Sequence, residues 1–384
     1  MPKRYESLIK LQQHIFNFVQ NLTPIMKKFY ITLLLFAFSL SLFAQMSTQS
    51  WDFDGEDRQY LQYVPSVYDE SESVPLVIAL HGLGDNMNDF SGVGFQFIAD
   101  TANFIVIYPE ALEFIAPIIG SMGNAWNSGA GTFGIYPNET IDDVGFINAI
   151  MDSVGAHYNI DQSKIFLTGF SMGGFMSNRL ACQLTGRVAA VASVAGTVGD
   201  GYTCTPSETI PMCHFHGTSD SNVGYGTDGG GVGENTFGLS VVQWMDFWGD
   251  NDGCSNITLE GQFPNIAGDG MSVEYVEYSG CTDDTRVVHY KVNNADHVWL
   301  GPNNDVFYTV EIWKFFLGLS PDNLVPAAIS DEQVSTVGVY PNPATNVLRI
   351  ENLESRVLNV SVFNTTGQLV KEFSNLNGSI DISD

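Results

Sequence analysis

Residues 165–175 read Ile-Phe-Leu-Thr-Gly-Phe-Ser-Met-Gly-Gly-Phe, a short apolar run that enters Gly-x-Ser-x-Gly and continues with helical character. A strand that turns sharply into a helix around a serine is a nucleophile elbow. The turn sets Ser171 clear of regular structure, with its hydroxyl at the head of the following helix. Gly169 and Gly173 leave room for a turn that side chains would block. The feature constrains the whole chain, because it demands a buried strand before it, a helix after it and partner residues delivered over the sheet from elsewhere.

The rest of the chain reads accordingly. Val74–Leu80 and Phe104–Tyr108 are nearly continuous apolar runs, as expected of strands covered on both faces. Tyr60–Val64, Lys164–Leu167, Val188–Val194, Ile210–Phe215, Val273–Tyr278 and Arg286–Val292 are further strands. Helical spacing marks Asp142–Val154, Ser171–Leu184, Val241–Trp248 and Val306–Phe316. Strands alternating with helices predict an α/β fold with a mostly parallel, doubly wound sheet.

The two ends differ from this body. Met26–Ala44 has two lysines, an apolar run Ile31–Phe38 and a small residue before Gln45, the pattern of a secretory signal peptide. Residues 1–25 then read as leader ahead of a start at Met26. The apolar run is too short for a membrane anchor, so no stable membrane insertion is expected. The catalytic domain is expected over 51–319 and a linker over 320–336, where periodicity is lost. Residues 337–384 carry alternating segments Val347–Ile350, Leu358–Phe363 and Gln368–Phe373, a small β-module without His or Cys.

Of 384 residues, 15 are basic and 43 acidic, a formal charge of −28. Five of the basic residues and one acidic residue lie in the first 50, so the remainder is more acidic still. Such a surface repels nucleic acid and anionic membranes and suits neutral substrates. The five cysteines are Cys182, Cys204, Cys213, Cys254 and Cys281, an odd number that leaves at least one thiol unpaired. No Cys-x-x-Cys or His-x-x-x-His spacing occurs, so no metal is expected.

A serine hydroxyl needs a base to take its proton and a third group to orient that base. His297 lies in the polar loop Asn293–Trp299, after the last strand and before the last helix, and is the expected base. His14, His81, His157, His214, His216 and His289 are placed less suitably. The run His216-Gly-Thr-Ser-Asp220 follows a buried strand and sets Asp220 as the orienting carboxylate, with Asp228 and Asp252 in reserve. Asp296 is set aside, because sequence neighbours seldom face each other productively. The oxyanion donors should be the amide of Met172, at the helix start, and that of Leu83, after the strand ending His81-Gly82.

Leu80-His81-Gly82, Gly169-Phe170-Ser171-Met172-Gly173-Gly174, His216-Gly217-Thr218-Ser219-Asp220 and His297-Val298-Trp299 resemble the secreted polyhydroxybutyrate depolymerase and feruloyl esterase group of α/β-hydrolases. Leu300 stands where that group has proline. The resemblance spans roughly residues 55–318 and implies serine esterase chemistry, with no cofactor, on aromatic or polymeric esters, insoluble polymers included; a monomer is expected. It also favours pairing Cys182–Cys204 and Cys254–Cys281 with Cys213 free, among the three pairings that four cysteines allow. Ala125-Trp126-Asn127 resembles the group's Trp-Asn segment, so Trp126 is read either as a wall of the substrate pocket or as a buried structural residue; Phe170 and Trp299, in segments expected near Ser171, are read as substrate contacts, with Phe170 in the core as the alternative.

Tyr340-Pro-Asn-Pro-Ala344, Asn364–Val370 and Ile380–Ser383 resemble the sorting domain of the type IX (Por) secretion system of Bacteroidetes, without its final basic hairpin. That implies secretion machinery as a partner and a secreted or cell-surface protein. The same layout occurs in some polyester hydrolases, including ones acting on polyethylene terephthalate. A peptidase on the same fold, or a silent binding protein on the scaffold, would be the alternatives. The absence of a propeller or cap segment disfavours the first, and the complete Ser171, Asp220 and His297 set disfavours the second.

Overall fold

The computed structural model describes residues 45–131, 134–226 and 236–325, and five strands beyond them. The chain divides into two compact units, Met1–Pro326 and Ala327–Asp384. The first carries a sheet of ten strands in the order β1-β2-β4-β3-β7-β8-β9-β12-β11-β10. The strands are β1 Gln45–Phe53, β2 Glu56–Val64, β3 Val74–Leu80, β4 Ile105–Pro109, β7 Ile160–Phe170, β8 Ala190–Val194, β9 Met212–Gly217, β10 Asn256–Gln262, β11 Ser272–Ser279 and β12 Val287–Asn293. From β4 through β12 every neighbouring pair is parallel, and the strands beyond run antiparallel.

The apolar runs divide their side chains between two cores by strand alternation. Leu76, Ile78 and Leu80 of β3 enter one core with Ile105, Ile107, Ile165 and Leu167. Val77 and Ala79 enter the other with Val106, Tyr108 and Phe166. The first core is covered by α3 Asp143–His157, α4 Met172–Gln183 and α5 Val241–Asn251, and the second by α1 Met87–Phe90, α2 Phe95–Ala102 and α6 Tyr308–Phe316. The predicted parallel sheet covered on both faces is therefore the fold.

The short helices α1 and α2 escape the sequence pattern, and so do two edge strands and a hairpin. Strand β1 is polar and pairs only at the sheet edge, so neither a buried run nor a clear alternation announces it. Strand β10 is almost wholly exposed at the opposite edge. The hairpin of β5 Leu112–Ala116 and β6 Gly120–Ala125 lies outside the main sheet.

Of the two acids opening α3, Asp142 caps the helix by accepting the Gly145 amide. Asp143 turns inward to a buried ion pair with Arg58, 2.6 Å apart. Burial raises the Asp143 carboxyl above its ordinary range, and Arg58 opposes that rise. Disulfides join Cys182 to Cys204 and Cys254 to Cys281, and Cys213 is free and buried in β9. The loops they close, 22 and 27 residues of separation, are of a length at which a crosslink stabilises by about 3 kcal/mol.

The first unit runs past the expected start of the linker. Val325 and Gln262 exchange backbone hydrogen bonds of 2.8 and 2.9 Å, and Lys314 pairs with Asp322. The signal-peptide segment, Asp228 and residues 326–337 lie outside the described residues. In the second unit β13 Gly338–Tyr340, β14 Val347–Glu351 and β17 Ser379–Asp381 form one antiparallel sheet, and β15 Asn359–Phe363 pairs with β16 Leu369–Ser374.

Candidate active site

β7 ends at Phe170 and α4 starts at Met172, so Ser171 alone makes the turn. Its φ of 55° and ψ of −119° lie where non-glycine residues rarely go. The surroundings hold this strain in place. The Ser171 amide donates to Val194 O at 2.8 Å, and Ser171 O accepts from the Phe175 amide at 3.1 Å. The hydroxyl makes no capping bond to the helix. A Cβ on Gly173 would lie 2.1 Å from Leu80 O, and one on Gly196 2.3 Å from Ser171 O, so the backbones meet only because these residues are glycine.

Asp220 follows β9 at the carboxyl end of the sheet, where its amide donates to Gly217 O. Oδ1 of Asp220 accepts the amides of Asn222 and Val223 at 2.9 and 2.8 Å. Oδ2 accepts His297 Nδ1–H at 2.8 Å, with His216 Nε2 3.3 Å away. Burial works against the charge, yet the donors from His216 and His297 hold the Asp220 carboxyl well below the usual carboxylate range. It is therefore ionised throughout the neutral range.

The loop bearing His297 is clamped to the loop bearing Asp220. Ser219 N donates to Ala295 O, Asn294 N to Thr218 Oγ1, and Asp296 Oδ1 accepts Ser221 N, Ser221 Oγ and His297 N, each at 2.8 Å. Asp296 thus fastens the two loops rather than orienting the imidazole. Asp252 lies elsewhere, accepting from Ile210 N and Thr285 Oγ1.

Ser171 and His297 open on one cleft of ≈ 410 Å³. Leu83 and Met172 line it too, and neither amide hydrogen has an acceptor among the described residues. Two free N–H groups beside a strained serine, facing an imidazole fixed by a carboxylate, form an arrangement suited to acyl transfer.

Residues 65–228 match the family described as Phospholipase/Carboxylesterase, and residues 338–384 match the secretion system C-terminal sorting domain. A probable feruloyl esterase C from Aspergillus terreus is 31% identical over 262 residues, covering 68% of this chain and 84% of that protein. The chain belongs to the feruloyl esterase family of carboxylic ester hydrolases. Feruloyl esterase C of Emericella nidulans is 30% identical to the esterase, over 68% of this chain and 84% of its own. Among solved structures, an acetyl xylan esterase from Aspergillus awamori is 16% identical with a TM-score of 0.48, covering 70% of this chain and 99% of its own.

The structure places the three aromatic residues expected at the substrate differently. Phe170 lines the cleft, its ring centroid 4.7 Å from that of His297. Trp126 does not: it is 0% exposed, and its indole N–H donates to His81 O at 2.9 Å. Packed against the His81 ring, it braces the loop leading to Leu83 from behind, so the expectation of a pocket wall is corrected. His81 is itself fastened there, donating from Nδ1 to Gly82 O and accepting Ala111 N at Nε2. Trp299 does not line the cleft either; its N–H donates to Thr309 Oγ1, and its ring supports Phe170 edge-on.

The sequence reading missed the residues that complete the esterase's cleft, namely Ala130, Phe175, Asn222, Val223 and Phe237. It also missed Asn178, fully buried behind the elbow. Asn178 donates to Gly174 O and Gly196 O, and accepts the indole N–H groups of Trp244 and Trp248. A helical position seven residues after Ser171 is the only sequence signal that could have found it.

Proposed function

We propose that Ser171, His297 and Asp220 hydrolyse carboxylic esters through an acyl-enzyme. The hydrogen bond from His297 Nδ1 to Asp220 Oδ2, in the cleft that Ser171 enters on a strained turn, carries this reading. His297 Nε2 takes the proton as Ser171 Oγ attacks the carbonyl carbon. The amides of Leu83 and Met172 donate to the oxyanion, and His297 gives the proton to the departing alcohol. Water repeats the sequence to release the acid. Ser171→Ala should reduce turnover of a para-nitrophenyl ester about a million-fold while the protein stays folded; retention of more than a tenth would overturn the assignment.

The acyl group proposed is aromatic. Phe170, Phe175 and Phe237 line the cleft and offer apolar faces and edges to a flat ring. Asp85 at the cleft and the acidic chain favour neutral esters over anionic ones. The names of the relatives point the same way. Phe237→Ala should lower kcat/KM for a feruloyl ester several-fold relative to an acetyl ester of the same alcohol; an unchanged ratio would rule the pocket out as an aryl site.

One observation favours insoluble aromatic polyesters as a second substrate class. The β5–β6 hairpin exposes Ile115, Ile118, Ile119 and Met122. It is rooted at the cleft, since Gly84 N donates to Asn124 O and the Asn124 side chain donates to Asp85 O. Such a rim suits contact with an apolar surface. Ile118→Ser with Ile119→Ser should slow acid release from polymer film several-fold and leave a soluble ester unaffected; equal rates on film would remove this reading. Export to the cell surface or medium, directed by the N-terminal segment and the sorting domain, is proposed alongside.

A further inference from the structure

Asp220 is served by two imidazoles, and only that of His297 reaches the cleft. The other, His216, is buried and has no place in the mechanism above. We propose that His216 is a positioning residue for ester hydrolysis, placing its Nε2–H against the Asp220 oxygen that holds His297. The inference rests on the triad reading.

The proton positions follow from the partners. His216 Nε2 lies 2.8 Å from Val223 O, which can only accept, so Nε2 carries a hydrogen. The same hydrogen is shared with Asp220 Oδ2 at 3.3 Å. His216 Nδ1 faces His214 Nε2 at 3.0 Å, and His214 Nδ1 faces Ser193 Oγ at 2.7 Å. With both imidazoles neutral, Ser193 donates to His214, His214 donates to His216, and His216 donates onward. Every ring nitrogen then has a partner and neither imidazole carries a charge. Burial, with His216 and His289 as neighbours, holds His214 well below the ordinary histidine range, in keeping with a neutral ring. The chain is closed on the other side by His289, whose Nδ1 donates to His214 O and whose Nε2 accepts from Tyr225 OH.

The consequence falls on His297. Its ring has Asp220 as side-chain hydrogen-bond partner and the Phe170 face beside it, so its aim depends on where Oδ2 points. Two amides fix Oδ1, and His216 and His297 divide Oδ2. Without the His216 donor, Oδ2 would be less restrained and its charge would bear on His297 alone. The imidazole would then be aimed less well and hold its proton more tightly.

The test uses the full chain with His216→Leu and His216→Gln, the amide of Gln standing in for Nε2–H. For a neutral soluble ester, His216→Leu should lower kcat about tenfold with KM within about twofold, and raise the acid limb of kcat/KM by about half a pH unit. The other ionisable groups facing this limb are Asp220, Asp296, His214, His289, Tyr225 and Tyr308, so the low-field NMR proton of His297 Nδ1–H is followed directly. It should move further downfield in His216→Leu, and His216→Gln should restore its position and most of kcat. Unchanged kcat, limb and resonance in folded His216→Leu would overturn the proposal, as would a Gln variant indistinguishable from Leu. Should the Leu variant not fold, the wild-type protein decides: an exchange-protected His216 Nε2–H with a cross-peak to His297 Nδ1–H is expected, and its absence overturns the proposal. Ser171→Ala run in parallel separates the two readings. An active Ser171→Ala defeats the triad itself, whereas an inactive one beside a wild-type-like His216→Leu defeats the positioning role alone.

Discussion

Around Ser171 the chain keeps its shape by packing backbone on backbone, whereas around Asp220 and His297 it does so with side-chain hydrogen bonds. A Cβ on Gly169, Gly173 or Gly196 would lie 2.3, 2.1 or 2.3 Å from a carbonyl oxygen, so the serine wall has no room for one more carbon. On the opposite wall Asp220 gathers two amides and two imidazoles, and Asp296 pins one loop to the other. The first wall should be sensitive to volume and the second to hydrogen-bonding and charge. Buried histidines concentrate on the second, where His214 and His289 lie, although His81 sits beneath the loop of Leu83.

Of the effects that separate the two walls, the largest tests chemistry on the second. Asp220→Asn keeps the volume but presents an amide to two N–H donors. It should lower kcat/KM for a soluble ester about ten-thousand-fold, with the fold retained by circular dichroism. A loss below about a hundredfold would mean that another group orients His297.

Volume on the first wall comes next. Gly173→Ala should destabilise by about 3 kcal/mol or more, because the colliding atom is backbone and cannot swing aside. Thermal melts decide it, and an unshifted melt would show that the elbow can relax.

Acid should act mainly through the second wall. Burial lowers the His289 pKa from 6.5 to about 3, and lowers that of His214 too. Between the lowered and ordinary values the folded state binds fewer protons than the unfolded one, so stability rises with pH there. It is lost as pH falls below about 6.5, at up to about 1.4 kcal/mol per pH unit for each histidine. Asp220, also lowered, adds a loss of the same sign in more acid solution. Melting temperatures from pH 7.5 to 5 should show this slope, and His289→Phe should flatten it; an identical slope in the variant would place the titration elsewhere.

The smallest effect belongs to neither wall. A chain ending at Pro326 should hydrolyse a soluble ester within about twofold of the full chain, since the two compact units divide there. A chain ending at Ser320 should melt lower by about 1–2 kcal/mol, having lost two backbone bonds between Val325 and Gln262. Equal melts would put the boundary back at Ser320.

What was legible in the sequence follows the same division. The elbow is a local motif: its glycines, strand and helix lie between Ile160 and Gln183, and the structure forms a strand, a turn at Ser171 and a helix there. The apolar runs Val74–Leu80 and Ile210–Phe215 announced buried parallel strands, because burial on both faces leaves no polar position. Asp220 and His297 were legible as loop residues at strand ends, and a 2.8 Å hydrogen bond joins them, with His297 at the cleft. Trp126 could be read as pocket wall or as core, because a tryptophan near a site in sequence can face either way, and its burial with the indole N–H on His81 O decides for the core. Asn178 was illegible because its partners lie far along the chain, and His216 because only the folding of β9 and its loop turns its near neighbours towards it. Asn178 meets Trp244 and Trp248 some 70 residues away, and the partners of His216 come from β9 and from the loop that follows it. The sequence alone determined the layered fold and the order of the reacting groups, since strand burial and tight turns are written in neighbouring residues. The tertiary structure alone decided which aromatic rings line the cleft and which second histidine meets the carboxylate, since hydrogen-bond satisfaction in a buried site depends on atoms that only folding brings together.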